Sequence, residues 1–252
     1  MKLSIPGLLG AELAALVMSA QVHAAEISVA VAANFTAPMQ KIAAAFEQAT
    51  GHKAVLAFGS TGRFYAQVKN GAPFHVLLAA DDETPARMER EGLGVPGSRF
   101  TYAIGRLALW SRQAGFVDNN GDVLRGGRFE RIALAEPKLA PYGAAAMEVL
   151  NGMGLTATLT PRFVQGENIA QTYQFVATGN AQLGFVSLSQ VVVDGKLTHG
   201  SVWKVPASLH TPIRQDALLL LAAKDNPGAA ALMAYLRSEK ARSLVRAFGY
   251  EL

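Results

Sequence analysis

The chain has 252 residues, of which 50% are hydrophobic and 17% charged, a composition that is typical of a globular protein and excludes intrinsic disorder. Its formal charge is +4, and the basic residues are scattered, so nucleic acid is a poor partner while small anions are favoured. The sequence contains no cysteine, which excludes disulfides and a lipid-modified cysteine anchor.

The N-terminal segment differs in composition from the rest of the chain. Lys2 precedes an apolar stretch from Leu3 to Ala20, and small residues at Val22 and Ala24 suit cleavage after Ala24. The uninterrupted apolar run is shorter than the ~20 residues that a bilayer span needs, and no later segment could span either. We therefore predict a signal peptide over residues 1–24 and a mature protein without a membrane span.

The first predicted unit is a strand, a polar turn and a helix. Ser28 to Ala32 is apolar enough to be a strand covered on both faces, and Asn34 follows it in the turn, with Ala33 beside it. We expect Thr36 to cap the helix. The core-facing side of that helix is predicted by four apolar residues at helical spacing: Met39, Ile42, Ala43 and Phe46.

The same arrangement recurs along the chain. Ser60 and Thr61 lie in the turn GSTG between a predicted strand over 53–58 and a second helix, where their hydroxyls could cap the helix or bind a ligand. Further strands are predicted over 74–80, 102–110, 132–135, 163–166, 183–187 and 217–222, and the long pattern over 102–110 could run between two lobes. Helices are predicted within 81–92, from Pro141, from Ile169, and around 232–236 and 244–248.

Alternation of strands and helices predicts an α/β fold with mainly parallel sheets and helices on both faces. Ligands of such sheets bind beyond the carboxyl ends of the strands. Four polar turn residues fall at those ends: Asn34, Ser60, Tyr142 and Asn168. A glycine-rich match at residues 92–97 is rejected as a dinucleotide site, because it follows a predicted helix and contains Pro96.

Six stretches resemble periplasmic molybdate-binding proteins, the soluble receptors of molybdate ABC importers, over nearly the whole predicted mature chain. They are VAANFTAPM at 31–39, FGSTG at 58–62, GAPFHVLLAAD at 71–81, PGSRFTYAIGRLALWS at 96–111, EPKLAPYG at 136–143 and LGFVSLSQ at 183–190. The resemblance implies a type II periplasmic-binding fold, with two lobes joined by crossing segments near 101–107 and 201–212 and the ligand between them. We place one lobe at 25–104 and 206–252 and the other at 105–205.

The resemblance also implies the ligand positions, the ligand and the partner. The positions fall on Asn34, on Ser60 with Thr61, on Tyr142 through its backbone or hydroxyl, and on Ile169 through its N–H, while Ala33 and Asn168 could lend a donor. The expected ligand is molybdate or tungstate, which the sequence does not separate, with the metal bound as an oxyanion and with no cofactor. The expected partner is the membrane permease of an ABC importer, and the expected form is a periplasmic monomer.

Two positions depart from the family pattern. His75 stands where the family often has Asp or Asn, which leaves local packing open, and Ser187 stands where some members place a ligand-contacting Tyr. The second departure suggests a subclass in which Tyr142 and Asn34 make a larger share of the contacts.

Molybdate is a tetrahedral dianion that only accepts hydrogen bonds, so a site made of donors suits it. Phosphate keeps a proton near neutral pH and would want a carboxylate, for which Glu167 is the nearby candidate, although a helix-start acid is the simpler role for it. Arg63 could be a counter-ion or a solvated surface residue. Sulfate stays open, because only the size of the cavity could exclude it.

Other functional classes find less support in the sequence. The motifs of serine hydrolases, zinc proteases and P-loop proteins are missing, and the histidines lack metal-ligand spacing, so an exported enzyme is the weaker alternative and no catalytic residue is assigned. A ferric-binding protein would be expected to have a pair of neighbouring tyrosines, which the sequence lacks. A regulator would need an attached DNA-binding motif, but the N-terminus carries the predicted leader.

Overall fold

The structure is a computed structural model that describes residues 24–252. The predicted signal peptide lies outside the described residues except for Ala24. No helix among residues 24–252 is long and apolar enough to cross a membrane.

The chain alternates strands with helices, as the sequence predicted. The strands are β1 (Glu26–Ala32), β2 (Lys53–Gly59), β3 (Val76–Leu78), β4 (Phe100–Gly105), β5 (Leu107–Ser111), β6 (Ile132–Ala135), β7 (Phe163–Gly166), β8 (Leu183–Ser187), β9 (Val192–Val193), β10 (Lys196–Leu197), β11 (Ser201–Lys204) and β12 (Ile213–Leu219). The helices are α1 (Thr36–Thr50), α2 (Thr61–Lys69), α3 (Glu83–Arg90), α4 (Val123–Gly126), α5 (Pro141–Gly152), α6 (Thr156–Leu159), α7 (Ile169–Ala177), α8 (Pro227–Leu236) and α9 (Glu239–Ala247). Short 3₁₀ helices include Ala33–Phe35 and Leu188–Gln190.

Two five-stranded sheets form the body of the protein. The first has the order β2-β1-β3-β12-β4, and the second has the order β11-β5-β8-β6-β7. We call the part built on the first sheet the first lobe and the part built on the second sheet the second lobe. Each sheet is packed on both faces by apolar clusters, one of which is centred on Phe35 and Phe46 in the first lobe and another on Leu109 and Phe185 in the second.

Both sheets are mixed, but four of the five strands in each sheet run in the same direction, in keeping with the mainly parallel sheets that were expected. In the first sheet β1 runs parallel to β2 and β3, but β12 runs antiparallel to β3 and β4. In the second, β6 runs parallel to β7 and β8, but β5 runs antiparallel to β8 and β11. The one strand in each sheet that runs against the others, β12 or β5, is the strand by which the chain enters that lobe, because a chain that arrives from the other sheet has no helical crossover to set a parallel direction.

The chain passes between the sheets twice. It leaves β4 of the first sheet and enters β5 of the second at Arg106, and it returns from β11 to β12 through residues 205–212. Both passages fall inside the predicted crossing segments at 101–107 and 201–212. The lobe boundaries drawn from the sequence, at residues 104 and 205, stay a prediction.

The strand pattern over 102–110 runs between the lobes, as the sequence suggested, but it forms two strands in different sheets that meet at Arg106. Several other predicted bounds were wrong. The strand expected over 74–80 is only Val76–Leu78, and the last strand begins at Ile213 instead of Ala217. Thr36 does not cap α1, since its hydroxyl donates to the carbonyl of Ala33 at 2.8 Å and the chain is already helical at Ala33.

Candidate functional site

Four helical segments begin at one small cavity between the lobes. The first starts with the 3₁₀ turn Ala33–Phe35 that leads into α1, and the others are α2, α5 and α7. The cavity volume is about 10 Å³, close to the ~10 to 15 Å³ that a single water molecule needs, so only a small ligand suits it. The lining residues are Ala32, Ala33, Asn34, Gly59, Ser60, Thr61, Ala80, Ala140, Pro141, Tyr142, Asn168 and Ile169.

All seven residues predicted for the site line this cavity. Two of them, Asn34 and Ser60, come from the first lobe on neighbouring strands, because β1 pairs with β2 in register up to Ala32 and Gly59. Tyr142 and Ile169 come from the second lobe, after the paired strands β6 and β7. Sequence reasoning missed the remaining small lining residues, which carry no polar side chain that could have pointed to them.

Asn34 reaches the cavity by its backbone, since its side chain is turned into the protein. The side-chain amide donates to Gln215 Oε1 at 2.8 Å and to the Tyr250 hydroxyl at 3.0 Å, and the residue is buried. The N–H groups of Ala33 and Asn34 open the helical turn, where no intrahelical acceptor is available to them. Asn34 therefore offers a backbone donor, with its side chain fixing the position of the turn.

Ser60 has a hydroxyl group that is buried but not hydrogen-bonded within the described chain. It occupies the N-cap position of α2, yet its hydroxyl makes no capping hydrogen bond. Ser60 Oγ is the one buried side-chain polar atom among residues 24–252 without a hydrogen-bond partner in the protein. A buried hydroxyl that lacks a partner costs about 1 to 3 kcal/mol, so its place in a cavity wall is an observation that points to a ligand.

Thr61 lies beside Ser60 and is tied to the neighbouring strand end. Its hydroxyl oxygen accepts the N–H of Ala80 at 2.9 Å. The hydroxyl proton remains to be donated, so Thr61 can still contribute one hydrogen bond to a ligand.

Tyr142 is the second residue of α5. Pro141 precedes it at the first helical position and has no N–H, so the Tyr142 N–H is the first donor of that helix. The Tyr142 hydroxyl lies behind the cavity, where it accepts from Ser187 Oγ and from Gln215 Nε2, both at 3.1 Å. Burial raises the pKa of this hydroxyl well above its ordinary value of 10, and nearby Tyr250 adds to the shift, so Tyr142 stays neutral.

Asn168 and Ile169 form the start of α7. Asn168 Oδ1 accepts from the N–H groups of Ala170 and Gln171, both at 3.0 Å. Asn168 is thus a helix cap, which leaves the N–H of Ile169 as the donor that this helix turns to the cavity.

The side chains of the described residues that line the cavity carry no charge, but the helix starts around it give the cavity a positive electrostatic potential. Within residues 24–252, its lining contains no Lys, Arg, Asp, Glu or His. Each helix start carries the positive end of a helix dipole and free N–H groups, and anions are stabilised there. No cluster of three or more metal-ligating side chains was found in the described part of the chain. The arrangement therefore suits a small anion without a paired cation.

The rim of the cavity joins the lobes in a way the sequence did not predict. Arg63 of α2 and Glu167, just before α7, form an ion pair, so Arg63 is not a counter-ion inside the cavity and Glu167 is not a first-turn acid of α7. The N–H of Gly62 also donates to the carbonyl of Leu139 at 3.0 Å. Side chains and backbone thus hold the two lobes closed over the cavity.

The two departures from the family pattern have structural roles. His75 Nδ1 accepts the N–H of Ser28 at 3.1 Å, so the imidazole supports the packing of β1. Ser187 Oγ donates to Tyr142, as described above, and also contacts Ser189 Oγ at 2.8 Å. Neither His75 nor Ser187 lines the cavity.

Comparison with known proteins agrees with this geometry. The chain matches the family model described as bacterial extracellular solute-binding protein over residues 27–251. It is 58% identical to the molybdate-binding protein ModA of Azotobacter vinelandii over 91% of both chains, and 48% identical to that of Rhodobacter capsulatus over 96% of this chain and 95% of the other. The solved Azotobacter vinelandii periplasmic molybdate-binding protein superposes with a TM-score of 0.87 at 40% identity, covering 90% of this chain and 99% of that one. The fold is therefore a type II substrate-binding fold, and the chain belongs to the family of bacterial extracellular solute-binding proteins.

Proposed function

We propose that this protein captures molybdate in the cavity between its lobes and delivers it to an ABC importer. The observation that carries the proposal is the unpartnered hydroxyl of Ser60, buried in a wall of uncharged groups at four helix starts. A ligand that only accepts hydrogen bonds would satisfy that hydroxyl. The relatives described above, which are named for molybdate, supply the identity of the anion.

The expected ligand contacts are the N–H groups of Asn34, Tyr142 and Ile169 and the hydroxyls of Ser60 and Thr61, with Ala33 and Asn168 beside them. About six charge-assisted hydrogen bonds at ~1.5 to 3 kcal/mol each give ~9 to 18 kcal/mol, and the upper part of that range exceeds the ~8 to 12 kcal/mol of micromolar to nanomolar binding. The surplus offsets desolvation of the anion and the closing of the lobes.

The hydrogen-bond donors of the cavity also predict how well other oxyanions bind relative to molybdate. Tungstate has the charge and nearly the size of molybdate, so we expect it to bind as well. Hydrogen phosphate carries a proton that needs an acceptor, but the described lining holds no carboxylate, and Glu167 is engaged by Arg63. Sulfate has the right charge and differs in size, which makes it the alternative ligand to test.

The wider role follows from the family. We propose that residues 1–24 direct export, that the mature protein acts as a periplasmic monomer, and that its closed form docks on the membrane permease of the importer. Lobes at 25–104 with 206–252 and at 105–205 would move as the two bodies in opening and closing.

Calorimetric titration of the mature protein, stripped of ligand by unfolding and refolding, tests the ligand directly. We expect tight one-to-one binding of molybdate and tungstate, with sulfate and phosphate at least ~100-fold weaker. Heat from sulfate or phosphate with none from molybdate would overturn the proposal while leaving the fold intact.

A further inference from the structure

A buried polar cluster lies behind the cavity, and Gln215 is at its centre. Gln215 is fully buried, and its Oε1 accepts from Asn34 Nδ2 at 2.8 Å and from the Tyr102 hydroxyl at 3.0 Å. Its Nε2 donates to the Tyr142 hydroxyl at 3.1 Å. One amide group thus contacts the side chains of two residues whose backbones line the cavity.

These two residues belong to different lobes. Gln215 is part of β12 in the first sheet, where the pairing with β4 shifts register between Gln215 and Asp216. Asn34 follows β1 of the same sheet, whereas Tyr142 begins α5 of the second lobe. The bond from Gln215 to Tyr142 therefore crosses between the lobes, close to the returning passage of the chain.

The backbone provides space for this contact. A Cβ atom added at Gly105 would lie 2.1 Å from the Tyr142 hydroxyl and 2.5 Å from Gln215 Nε2. Real Cβ atoms do not approach other atoms so closely, so only glycine at position 105 lets the amide and the phenol meet. The backbone path between β4 and β5 therefore requires glycine at position 105, and this observation does not depend on the hydrogen bonds of Gln215.

We propose that Gln215 is a positioning residue for anion binding: its amide fixes the Asn34 turn relative to the Tyr142 turn when the lobes close, although it does not line the cavity. The proposal rests on the proposed function. When the lobes open, the Gln215–Tyr142 bond is given up, so the bond stabilises the closed, ligand-holding form over the open one. Gln215 then influences affinity through the spacing of donors that come from both lobes.

The variant Gln215→Met tests this without removing the fold. Each partner keeps a hydrogen bond. Asn34 Nδ2 still donates to Tyr250 and Ser187 still donates to Tyr142, while the single proton of the Tyr102 hydroxyl, shared between Gln215 Oε1 and the carbonyl of Ala79 in the parent protein, can go wholly to Ala79 at 2.8 Å. Calorimetry should show molybdate binding about three- to tenfold weaker, the effect of losing one buried neutral hydrogen bond. Gln182→Met is the matched control, because Gln182 accepts from the Arg131 N–H at 2.9 Å and does not line the cavity; its affinity should be unchanged.

A double-variant cycle separates positioning from a general packing defect. If Gln215 acts through the Tyr142 hydroxyl, Gln215→Met should weaken binding less in a Tyr142→Phe background than in the parent protein. Equal losses in both backgrounds would overturn the proposal, as would parental affinity in Gln215→Met. Failure of the parent protein itself to bind molybdate would instead refute the proposed function.

Gln215→Glu adds a pH-dependent rescue. A protonated carboxyl can accept from Asn34 and donate to Tyr142 as the amide does, and burial favours the protonated form. We expect Gln215→Glu to bind molybdate nearly as tightly as the parent at pH 6 and at least ~10-fold more weakly at pH 9, where a carboxylate can no longer donate. Binding at pH 6 as weak as that of Gln215→Met would contradict the positioning role.

Discussion

Arg63 and Glu167 form an ion pair across the mouth of the cavity, although they belong to different lobes and lie 104 positions apart in the chain. Their side chains remain 57% and 62% exposed, so the pair is screened by solvent and contributes at most about 1 kcal/mol. That amount is small for the fold, but it acts on the equilibrium between open and closed lobes. The nearby hydrogen bond from Gly62 to Leu139 acts in the same direction.

Breaking this pair should speed the release of the ligand. We expect Arg63→Gln to raise the dissociation rate of molybdate about two- to fivefold, since the closed form loses a contact that the open form lacks. Release of radiolabelled molybdate into excess unlabelled molybdate measures the rate. The exchange Arg63→Glu with Glu167→Arg keeps both the pair and the net charge and should restore slow release. The matched control is Arg87→Gln, which breaks a pair with Glu91 within the first lobe; release as fast in the exchange variant as in Arg63→Gln would contradict the prediction.

Ser60→Ala should improve stability while it harms binding. Because Ser60 Oγ is buried without a partner in the protein, its removal should leave the free energy of unfolding unchanged or raise it by about 1 to 2 kcal/mol. Molybdate affinity should fall about tenfold or more with the loss of a charge-assisted hydrogen bond. Urea unfolding and calorimetry measure the two effects.

A second N-cap serine gives the control for Ser60. Ser238 accepts the N–H of Ala241 at 3.3 Å at the start of α9, so Ser238→Ala should lose about 1 kcal/mol of stability with no effect on binding. Destabilisation of Ser60→Ala by the same amount would mean that Ser60 is an ordinary cap.

Much of the site could be predicted because the chemistry is carried by backbone at strand and helix ends. The change of period after Ala32, Pro141 before Tyr142 and the turn at Asn168 all placed helix starts at the carboxyl ends of strands, and those starts do meet at one cavity. The roles of the side chains were harder to predict. Contacts such as Asn34 with Gln215 or Arg63 with Glu167 join residues more than 100 positions apart, and no local pattern encodes them.

The same limit explains the errors in the fold. Residues 102–110 form a continuous strand pattern, because both halves are buried, so the sequence indicated a passage between lobes there but not that the strand is divided at Arg106. Gln215 and Asp216 interrupt the apolar pattern of β12, which placed the predicted start of that strand at Ala217. Both polar side chains are buried and paired, Asp216 with Thr101 and with Arg99.

Replacing Asn34 should affect both stability and binding. The family resemblance placed Asn34 among the ligand positions, but its side-chain amide donates to Gln215 and Tyr250 inside the protein. We expect Asn34→Ala to lose about 1 to 3 kcal/mol of unfolding free energy and to weaken molybdate binding by displacing the turn. Asn34→Asp keeps the size but replaces the donor with an acceptor and should be worse in both measurements. Thermal unfolding and calorimetry measure the two effects. Loss of molybdate affinity in Asn34→Ala without any loss of stability would contradict the prediction.

Asp81 should make the protein less stable as pH rises, whereas an ordinary paired carboxylate makes a protein more stable as pH rises. Burial raises the pKa of its carboxyl from 3.8 to about 6, although hydrogen bonds from Thr84 oppose the shift. Between these two values the folded protein holds a proton that the unfolded chain has released, so the free energy of unfolding falls as pH rises from about 4 to about 6. The full change is up to about 3 kcal/mol.

Asp81→Asn keeps an acceptor for the Thr84 N–H but cannot ionise, so it should remove this dependence and be the more stable protein at pH 7. Urea unfolding at a series of pH values tests this, with Glu83→Gln at the exposed neighbour as control. An unchanged pH dependence in Asp81→Asn would show that the partly buried carboxyl of Asp81 is not its source.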